Sequence, residues 1–246
     1  MSQKYVINPN YAHLDDFVLH VKDHFASSNE SIHKARNELR VIEYKGLKMV
    51  IKAFKIPHLI NRFAYAYIRD SKSKKSYFNA LELEKRGINT PSPVAYIEFY
   101  EMGLLKESYF IALHVEYNFT IREALHHKAE NFSDILNSFA HFSTKVHQAG
   151  IWHVDYSPGN ILVTCNDNSY TFNLVDINRM EFKNITPLEG LGNFNKLYAK
   201  EEDLKNIATT YASINKIEKP LAIKIALLEA KKHQDKNELK KRLKGR

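Results

Sequence analysis

Cysteine is nearly absent from this 246-residue chain, which contains only Cys165. A single cysteine excludes a disulfide framework and a cysteine-rich zinc site. The chain is therefore expected to work in a reducing compartment, with Cys165 packed in its strand. Glycine is also scarce, at eight residues, and no glycine-rich loop of the kind that wraps nucleotide phosphates is present.

Long apolar runs are missing as well. No stretch approaches the ~20 apolar residues needed to span a bilayer. The first residues, Met1-Ser2-Gln3-Lys4-Tyr5, lack the basic start and apolar run of a secretory signal. These absences predict a soluble, cytoplasmic protein. With 44% hydrophobic residues, the chain can bury a core as one large domain or as two lobes around a cleft.

The most informative residues are two aspartates and an asparagine in the second half of the chain. Asp155 and Asn160 lie in the stretch His153-Val154-Asp155-Tyr156-Ser157-Pro158-Gly159-Asn160, and Asp176 follows a short predicted hairpin. This order is typical of phosphoryl-transfer enzymes, where positioning and charge neutralisation supply most of the catalysis. Asp155 is expected to accept the proton of the attacking hydroxyl. Asn160 and Asp176 are expected to bind Mg²⁺ beside the nucleotide phosphates.

The pattern around this motif supplies the context that the motif requires. Apolar residues at helical spacing, from Ile135 to Val146, predict a helix that ends at Gly150. Residues 161–165 and 170–175 predict two strands joined by a polar turn. His153 is the second candidate catalytic residue of the loop, and its expected role is to fix the loop by hydrogen bonds.

The first half of the chain has the pattern of a nucleotide-binding lobe. A helix is predicted over residues 75–86, before Gly87. Four stretches have the composition of strands: 38–44, 47–54, 94–100 and 109–115. Lys52 lies within an apolar strand and needs an anionic partner, which nucleotide phosphates would supply. The alternative is that Lys52 faces solvent. The backbone of Glu116 and Tyr117 is expected to contact an adenine.

Together these elements predict an α+β, two-lobed fold of the protein-kinase type. Residues 1–117 would form a nucleotide-binding lobe with a five-stranded antiparallel sheet and one main helix. Residues 118–246 would form a small, mainly helical catalytic lobe with a basic tail. ATP and Mg²⁺ are expected in the cleft between the lobes, in a protein that acts as a monomer.

Several stretches share a narrower pattern. They are Lys52 in its strand, Lys75 to Leu81, Gly87-Ile88-Asn89-Thr90-Pro91-Ser92-Pro93, His58 to Arg62, the loop from His153 to Asn160, and Val175 to Arg179. Over roughly residues 30–210 the chain resembles the bacterial lipopolysaccharide kinases, the Kdo and heptose kinases of the inner core. The resemblance implies that ATP phosphorylates a sugar hydroxyl of the lipopolysaccharide core, at the inner face of the inner membrane.

The chain also departs from the pattern of its relatives. The turn that should cover the phosphates contains Arg36 and Asn37, which would have to substitute for backbone amides. Phe78 occupies the place of the glutamate that commonly pairs with the lysine, so Glu82 or Glu84 is expected to pair with Lys52. If neither does, turnover should suffer, and a nucleotide-binding pseudokinase is the alternative.

The acceptor is expected to be a small or lipid-linked hydroxyl. Asp155-Tyr156-Ser157 lacks the lysine that protein-serine kinases place two residues after their catalytic aspartate. Another small-molecule or protein hydroxyl remains the alternative.

The net charge is +8, and residues Lys219 to Arg246 contain ten Lys or Arg and three acidic residues. This tail could lie on an anionic membrane or against core phosphates, or could be a docked helix with a solvated basic end.

Nucleic-acid binding is the rival function without catalysis, because basic clusters interleaved with aromatics also suit RNA or DNA. No nucleic-acid motif accompanies the charge, and this function would leave Asp155, Asn160 and Asp176 unexplained. No nucleic-acid partner is therefore expected.

Overall fold

The computed structural model describes residues 2–28, 31–34, 37–54, 65, 69–127, 131–167 and 169–243, with the backbone alone at 31–34, 37 and 127. The chain divides into two compact units, Met1–Val115 and Glu116–Arg246.

The first unit contains one antiparallel sheet. Its strands are β1 (Ser2–Ile7), β2 (Ser31–Lys34), β3 (Asn37–Tyr44), β4 (Leu47–Phe54), β5 (Pro93–Glu101) and β6 (Leu104–Leu113). They pair in the order β1-β5-β6-β4-β3-β2. The antiparallel sheet is as predicted, but it has six strands where five were expected. β1 lacks the alternating apolar pattern of a half-buried strand, because all of its residues except Ile7 are exposed.

Short helices cover one face of this sheet. A 3₁₀ turn at Pro9–Leu14 leads into α1 (Asp15–Leu19) and α2 (Val21–Ser27). Phe17, Val21 and their apolar neighbours are buried against side chains of the strands, among them Ile51. Buried apolar residues of this segment thus lie on two short helices, with His20 at their junction.

The main helix of the unit, α3 (Lys72–Lys85), packs on the other face of the sheet. Its Tyr77 ring lies 5.5 Å from the ring of Tyr96, and Tyr96 points away from the core residue Ile97 because strand side chains alternate. The predicted helix over 75–86 is present and begins three residues earlier. Ser71 caps its start, since its hydroxyl accepts a hydrogen bond from the Lys74 amide at 3.1 Å.

The second unit is mainly helical. Its helices are α4 (Ile121–His127), α5 (Phe132–Gln148), α6 (Pro187–Gly192), α7 (Glu201–Asn215) and α8 (Lys219–Leu243). Its short strands are β7 (Phe119–Thr120), β8 (Ile151–His153), β9 (Ile161–Asn166), β10 (Ser169–Leu174) and β11 (Met180–Phe182). They form a three-stranded sheet, β10-β9-β7, and a two-stranded sheet, β11-β8.

Helix α5 lies at the centre of this unit. It buries Ile135, Phe139 and Val146, and the chain leaves it through Gly150 at a φ of 69°, a conformation that glycine adopts without strain. Helix α7 packs on α5, and α8 packs on α7. Helix α5 therefore aims the chain into β8 and the loop that follows it.

The structure bears on two sequence expectations, the packing of Cys165 and the lack of a membrane-spanning segment. Cys165 is exposed rather than packed, because it lies near the end of β9. No helix in the part of the chain that the structure describes combines the length and apolar character that crossing a membrane requires.

Candidate active site

The three predicted reactive residues of the second unit lie at one end of the β9–β10 hairpin. In this hairpin Leu174 pairs with Ile161. Asn160 therefore precedes one strand at the point where Asp176 follows the other, and the Val175 amide donates to the Asn160 carbonyl at 3.0 Å. Sequence spacing alone thus brings the amide and the carboxylate to the same place.

Asn160 is also tied directly to Asp155. Its side-chain amide nitrogen donates to the Asp155 carbonyl at 3.0 Å, which orients the amide and turns its oxygen in the opposite direction. The connecting 3₁₀ turn, Pro158–Asn160, starts with proline. Gly159 lets the Arg122 guanidinium lie close to the turn, because an added Cβ would lie 2.6 Å from it and the arginine would have to move. This turn holds the Asn160 amide oxygen in a position where it could be a ligand for a cation.

Asp176 has a strained backbone. Its φ is 55°, in the left-handed region that residues other than glycine rarely adopt and that is often found at functional sites. One carboxylate oxygen accepts a hydrogen bond from the Asn178 side chain at 2.7 Å. Asn178 itself is buried. The carboxylate of Asp176 is therefore fixed from the buried side.

His153 is fully buried, and backbone groups contact both of its ring nitrogens. The Asp155 amide donates to Nδ1 at 3.1 Å, and Nε2 donates to the Val175 carbonyl at 3.1 Å. Burial lowers the pKa of His153, so the ring is neutral with its proton on Nε2. The ring thus links the residue before Asp176 to Asp155 and positions both.

Two cations face the Asp155 carboxylate. Arg179 Nη2 lies 2.9 Å from one oxygen and Lys196 Nζ lies 3.7 Å from the other. Lys196 also donates to the Val154 carbonyl. Lys196 was missed by sequence reasoning because it comes from the 3₁₀ turn Asn193–Lys196, well beyond the motif. Position 157 is serine, and Lys196 brings a lysine amine to the loop from a distant part of the chain.

A buried polar network supports the loop from beneath. The Tyr211 hydroxyl donates to His147 Nδ1 at 2.9 Å, and His147 Nε2 donates to the Asn193 side-chain oxygen at 3.2 Å. Asn193 in turn donates to the His153 carbonyl at 3.0 Å. Burial lowers the pKa of His147 to about 4, which keeps the ring neutral. The sequence gives one indication of this network: His147 follows Val146 in a predicted helix, on the side that would be buried.

Lys52, in the first unit, is half-buried. It pairs across the sheet with Phe110, and Phe110 pairs with Tyr96, so Lys52 lies on the face of the sheet that α3 covers. Its amine lies 5.4 Å from the centroid of the Phe54 ring. The lysine therefore lies on the helix side of the sheet and not on the core side with Ile51.

The expected glutamate partners of Lys52 have other contacts. Glu82 accepts from Arg86 Nε at 2.7 Å, and Glu84 accepts from the Ser92 hydroxyl at 2.6 Å. Arg36 lies outside the described residues, and so does the segment 58–62. Only the backbone of Asn37 is described, and it pairs with Phe54 at the end of β3.

Glu116 and Tyr117 open the second unit. The Glu116 carbonyl accepts from the Thr164 hydroxyl at 3.1 Å, which ties this segment to β9. Tyr117 is exposed. The Asn118 side chain adds a second tie, since its oxygen accepts from the Cys165 amide at 2.8 Å.

The donor set of the second unit fits a hard cation. No group of three His, Cys, Asp or Glu side chains able to hold a metal occurs in the described part of the chain, which argues against a closed, all-protein metal cage there. Asn160 offers an amide oxygen and Asp176 a carboxylate, and the backbone pairing of the hairpin brings the two residues together. Mg²⁺ is commonly held in this way, by one or two protein oxygens together with water and phosphate oxygens.

Comparison with known proteins gives a consistent result. The sequence model of a family described as "Kdo: Lipopolysaccharide kinase (Kdo/WaaP) family" matches residues 58–219. No curated protein matches the chain at the sequence level.

Among solved structures, WaaP in complex with acyl carrier protein is similar with a TM-score of 0.60 and 14% identity, over 93% of this chain and 98% of that one. This likeness confirms the predicted kinase-like fold. The Mycobacterium tuberculosis PknI kinase domain, crystallised as a double mutant, has a TM-score of 0.41 and 14% identity, over 78% of this chain and 74% of that one.

Proposed function

Because this chain belongs to the lipopolysaccharide kinase (Kdo/WaaP) family, we propose that it transfers the γ-phosphate of ATP to a sugar hydroxyl of the lipopolysaccharide inner core, on Kdo or heptose. Membership confirms the resemblance found in the sequence and makes the chain a phosphotransferase. The sugar and the position of the hydroxyl belong to the proposal.

The observation that carries the proposal is the grouping of Asp155, Asn160 and Asp176. Asn160 donates to the Asp155 carbonyl, and the amide of Val175, the residue before Asp176, donates to the Asn160 carbonyl. Asp155 accepts the proton of the sugar hydroxyl, and its carboxylate is partly exposed, at 28%, so an acceptor can reach it. His153 is the positioning residue of this step. Its ring accepts a hydrogen bond from the Asp155 amide and donates one to the Val175 carbonyl, so both ring nitrogens are bonded to the backbone and not to the substrate. General-base assistance of this kind contributes about 10²- to 10⁴-fold to rate.

Asn160 and Asp176 would hold Mg²⁺. When bound, the ion neutralises charge on the nucleotide phosphates and orients them for in-line transfer. The chain prepares for it by orienting the Asn160 amide through the Asp155 carbonyl and the Asp176 carboxylate through Asn178.

Lys196 and Arg179 supply positive charge next to the reacting hydroxyl. Both contact the Asp155 carboxylate, and in phosphoryl transfer such fixed cations stabilise the charge that spreads over the transferring group. They also orient the Asp155 carboxylate before the acceptor arrives. Neither role needs a lysine within the loop itself.

The remaining nucleotide contacts are assigned to residues 1–117 as the nucleotide-binding lobe, with residues 118–246 as the catalytic lobe. Lys52 would bind the phosphates, with Arg36 and Asn37 in the covering turn and Glu82 as the orienting carboxylate. One carboxylate oxygen of Glu82 also contacts Arg86 Nε at 2.7 Å. The backbone of Glu116 and Tyr117 would bind the adenine.

The test is magnesium-dependent transfer of labelled γ-phosphate from ATP to purified lipopolysaccharides of graded core length. Labelling of an acceptor that contains Kdo alone would assign Kdo, whereas labelling that begins when heptose is present would assign heptose. Asp155→Ala protein is the control and should give no label. Labelling that is equal with the Asp155→Ala protein, or absent from every core acceptor while ATP is bound, would contradict the proposal.

A further inference from the structure

The basic helix α8 changes character along its length. Its first half is docked, because Ala222 and Ala226 are buried. Its middle is attached through Tyr198, whose hydroxyl lies 3.1 Å from His233 Nε2 and 3.3 Å from the Asn237 side chain. From Glu238 to Leu243 every side chain is exposed. The helix thus extends beyond the part of the unit on which it packs.

Four exposed leucines lie along this helix. We call Leu221, Leu228, Leu239 and Leu243 the leucine stripe; they are 40%, 48%, 58% and 78% exposed. With about 100° of rotation per residue, the four lie within roughly 60° of one another. The docked residues, Ala222 and Ala226 among them, lie on a different face. Scattered exposed leucines are ordinary, but a stripe on the free face of one helix indicates an apolar partner.

Positive charge borders the leucine stripe. Lys219–Leu243 contains eight Lys or Arg against three Asp or Glu, a net charge of +5. Lys236 and Lys240 lie on one side of the stripe at helical spacing, and Lys224, Lys231 and Arg242 lie on the other. An apolar stripe between basic flanks is the pattern of a helix that lies in the surface of an anionic membrane.

The stripe itself favours a lipid partner over a protein partner. Lys232 and Asp235 interrupt it between Leu228 and Leu239, and both are exposed. Lys232 has a partner on the same helix, because its amine lies 2.7 Å from the Glu229 carboxylate. Asp235 would need a matched partner in a protein interface, because a buried unpaired charge is costly. The headgroup layer of a membrane leaves such charges hydrated while leucines enter the acyl boundary.

We propose that the leucine stripe and its basic flanks dock this chain on the surface of an anionic membrane. The docking surface has a direct connection to the catalytic loop. Tyr198, which holds His233 and Asn237, lies two residues after Lys196, and Lys196 lies 3.7 Å from the Asp155 carboxylate. Docking therefore brings Asp155 to lipid-linked sugars, a consequence that rests on the proposed function, whereas the docking itself does not.

The experiment is flotation of the full chain with vesicles of phosphatidylcholine alone or of phosphatidylcholine mixed with phosphatidylglycerol. The chain should bind the mixed vesicles, bind the neutral ones at least tenfold more weakly, and lose binding as salt is raised. The double variant Leu239→Glu/Leu243→Glu should lose at least tenfold in partitioning to mixed vesicles. Its positions are exposed, so its helical circular dichroism should match the parent.

Met102→Glu is the matched control, because Met102 is 97% exposed on the turn between β5 and β6. It introduces the same kind of charge far from α8 in sequence and should bind like the parent. A parent chain that does not bind mixed vesicles, or a double variant that binds them as the parent does, would overturn the proposal. Leucine-dependent binding of purified acyl carrier protein without vesicle binding would overturn it in favour of a protein partner.

Transfer assays separate this proposal from the proposed function. With delipidated core saccharide as the acceptor, Leu239→Glu/Leu243→Glu should be as active as the parent, because neither leucine belongs to the catalytic loop. With acceptor in mixed vesicles, the same variant should be slower. A parent that binds vesicles but transfers no phosphate to either acceptor would contradict the proposed function and leave the docking surface standing.

Discussion

The two sides of the catalytic loop have opposite chemistry. On the exposed side, the Asp155 carboxylate faces Arg179 and Lys196 at 2.9 and 3.7 Å. On the buried side, His153 and His147 are neutral and are held by hydrogen bonds and by packing against aromatic rings. The exposed side carries charged groups that can act on a substrate. The buried side carries neutral groups that hold the catalytic loop, and with it those charged groups, in place.

This difference follows from desolvation. Burial lowers the pKa of both histidines and raises the pKa of the Tyr211 and Tyr156 hydroxyls, so each buried group keeps its uncharged form. Neutral donors and acceptors can then satisfy one another without the cost of a buried charge. The comparison teaches that, in this site, reactivity and positioning come from different residues and should fail separately.

Apart from changes to Asp155 itself, removing the cation Lys196 should have the largest effect. Lys196→Met should lower the rate of phosphoryl transfer by about 10²- to 10³-fold, the usual cost of losing one fixed group that stabilises transition-state charge. ATP binding should remain, because Lys196 is assigned to the transferring group and acceptor side. Single-turnover transfer and equilibrium ATP binding measure the two separately.

Lys196→Arg is the control for this prediction, since it keeps the charge and should recover part of the rate. Equal losses in Lys196→Met and Lys196→Arg would instead indicate that the hydrogen bond to Val154 matters and the charge does not. Unchanged turnover in Lys196→Met would remove Lys196 from the reaction.

The buried side should respond to acid. The unfolded pKa of His147 is near 6.5 and the folded pKa is about 4, so the unfolded chain binds more protons between these values and stability falls as pH falls through them. The full contribution of neutral His147 to the free energy of unfolding is present above pH 6.5. About 3 kcal/mol of that free energy is lost by pH 4. Burial lowers the pKa of His153 too, which adds a loss of the same sign.

Urea unfolding between pH 7 and pH 4 measures this slope. His147→Gln removes one titrating group and should give a shallower slope than the parent, although it is less stable at pH 7. A parent slope that the substitution leaves unchanged would show that His147 binds protons equally in the folded and the unfolded chain, which would contradict a lowered pKa.

A smaller effect is expected from close packing over the same network. In Gly190→Ala the new Cβ would lie 2.1 Å from the Tyr211 hydroxyl oxygen and 2.6 Å from His147 Nδ1. The strain should reduce the free energy of unfolding by about 1–3 kcal/mol. Gly192→Ala, in the same helix, is the matched control, because its Cβ would meet nothing nearer than 3.8 Å.

Thermal unfolding distinguishes the two alanines. Adding Tyr211→Phe to Gly190→Ala should recover part of the lost stability, because it removes the atom that the new Cβ meets first. If Gly190→Ala and Gly192→Ala unfold alike, the network does not constrain this helix.

The exposed side of the site could be predicted from sequence because its residues are local. Asp155 and Asn160 share one short loop, and a hairpin with clear turn residues returns Asp176 to Asn160. Period-2 and helical patterns likewise gave the main strands and helix α5. These features depend on spacing along the chain, which a single sequence contains.

Apart from His153, whose hydrogen bonds to the loop were expected, the buried side could not be predicted because its partners are distant in sequence. His147 bonds to Tyr211 and Asn193, and no spacing rule connects these positions. Lys196 reaches Asp155 only after α6 and the following turn have folded. β1 was missed for a different reason: an edge strand with exposed side chains pairs through its backbone, which leaves no apolar pattern.

The most direct test of the central claim compares Asp155→Asn with Asp176→Asn for both ATP binding with Mg²⁺ and single-turnover transfer. Asp155→Asn should lose transfer by about 10²- to 10⁴-fold and keep ATP binding, because it removes only the proton acceptor. Asp176→Asn should weaken both, because it removes a metal ligand. Equal loss of ATP binding in the two variants, or transfer at the parent rate by Asp155→Asn, would contradict the division of roles at this site.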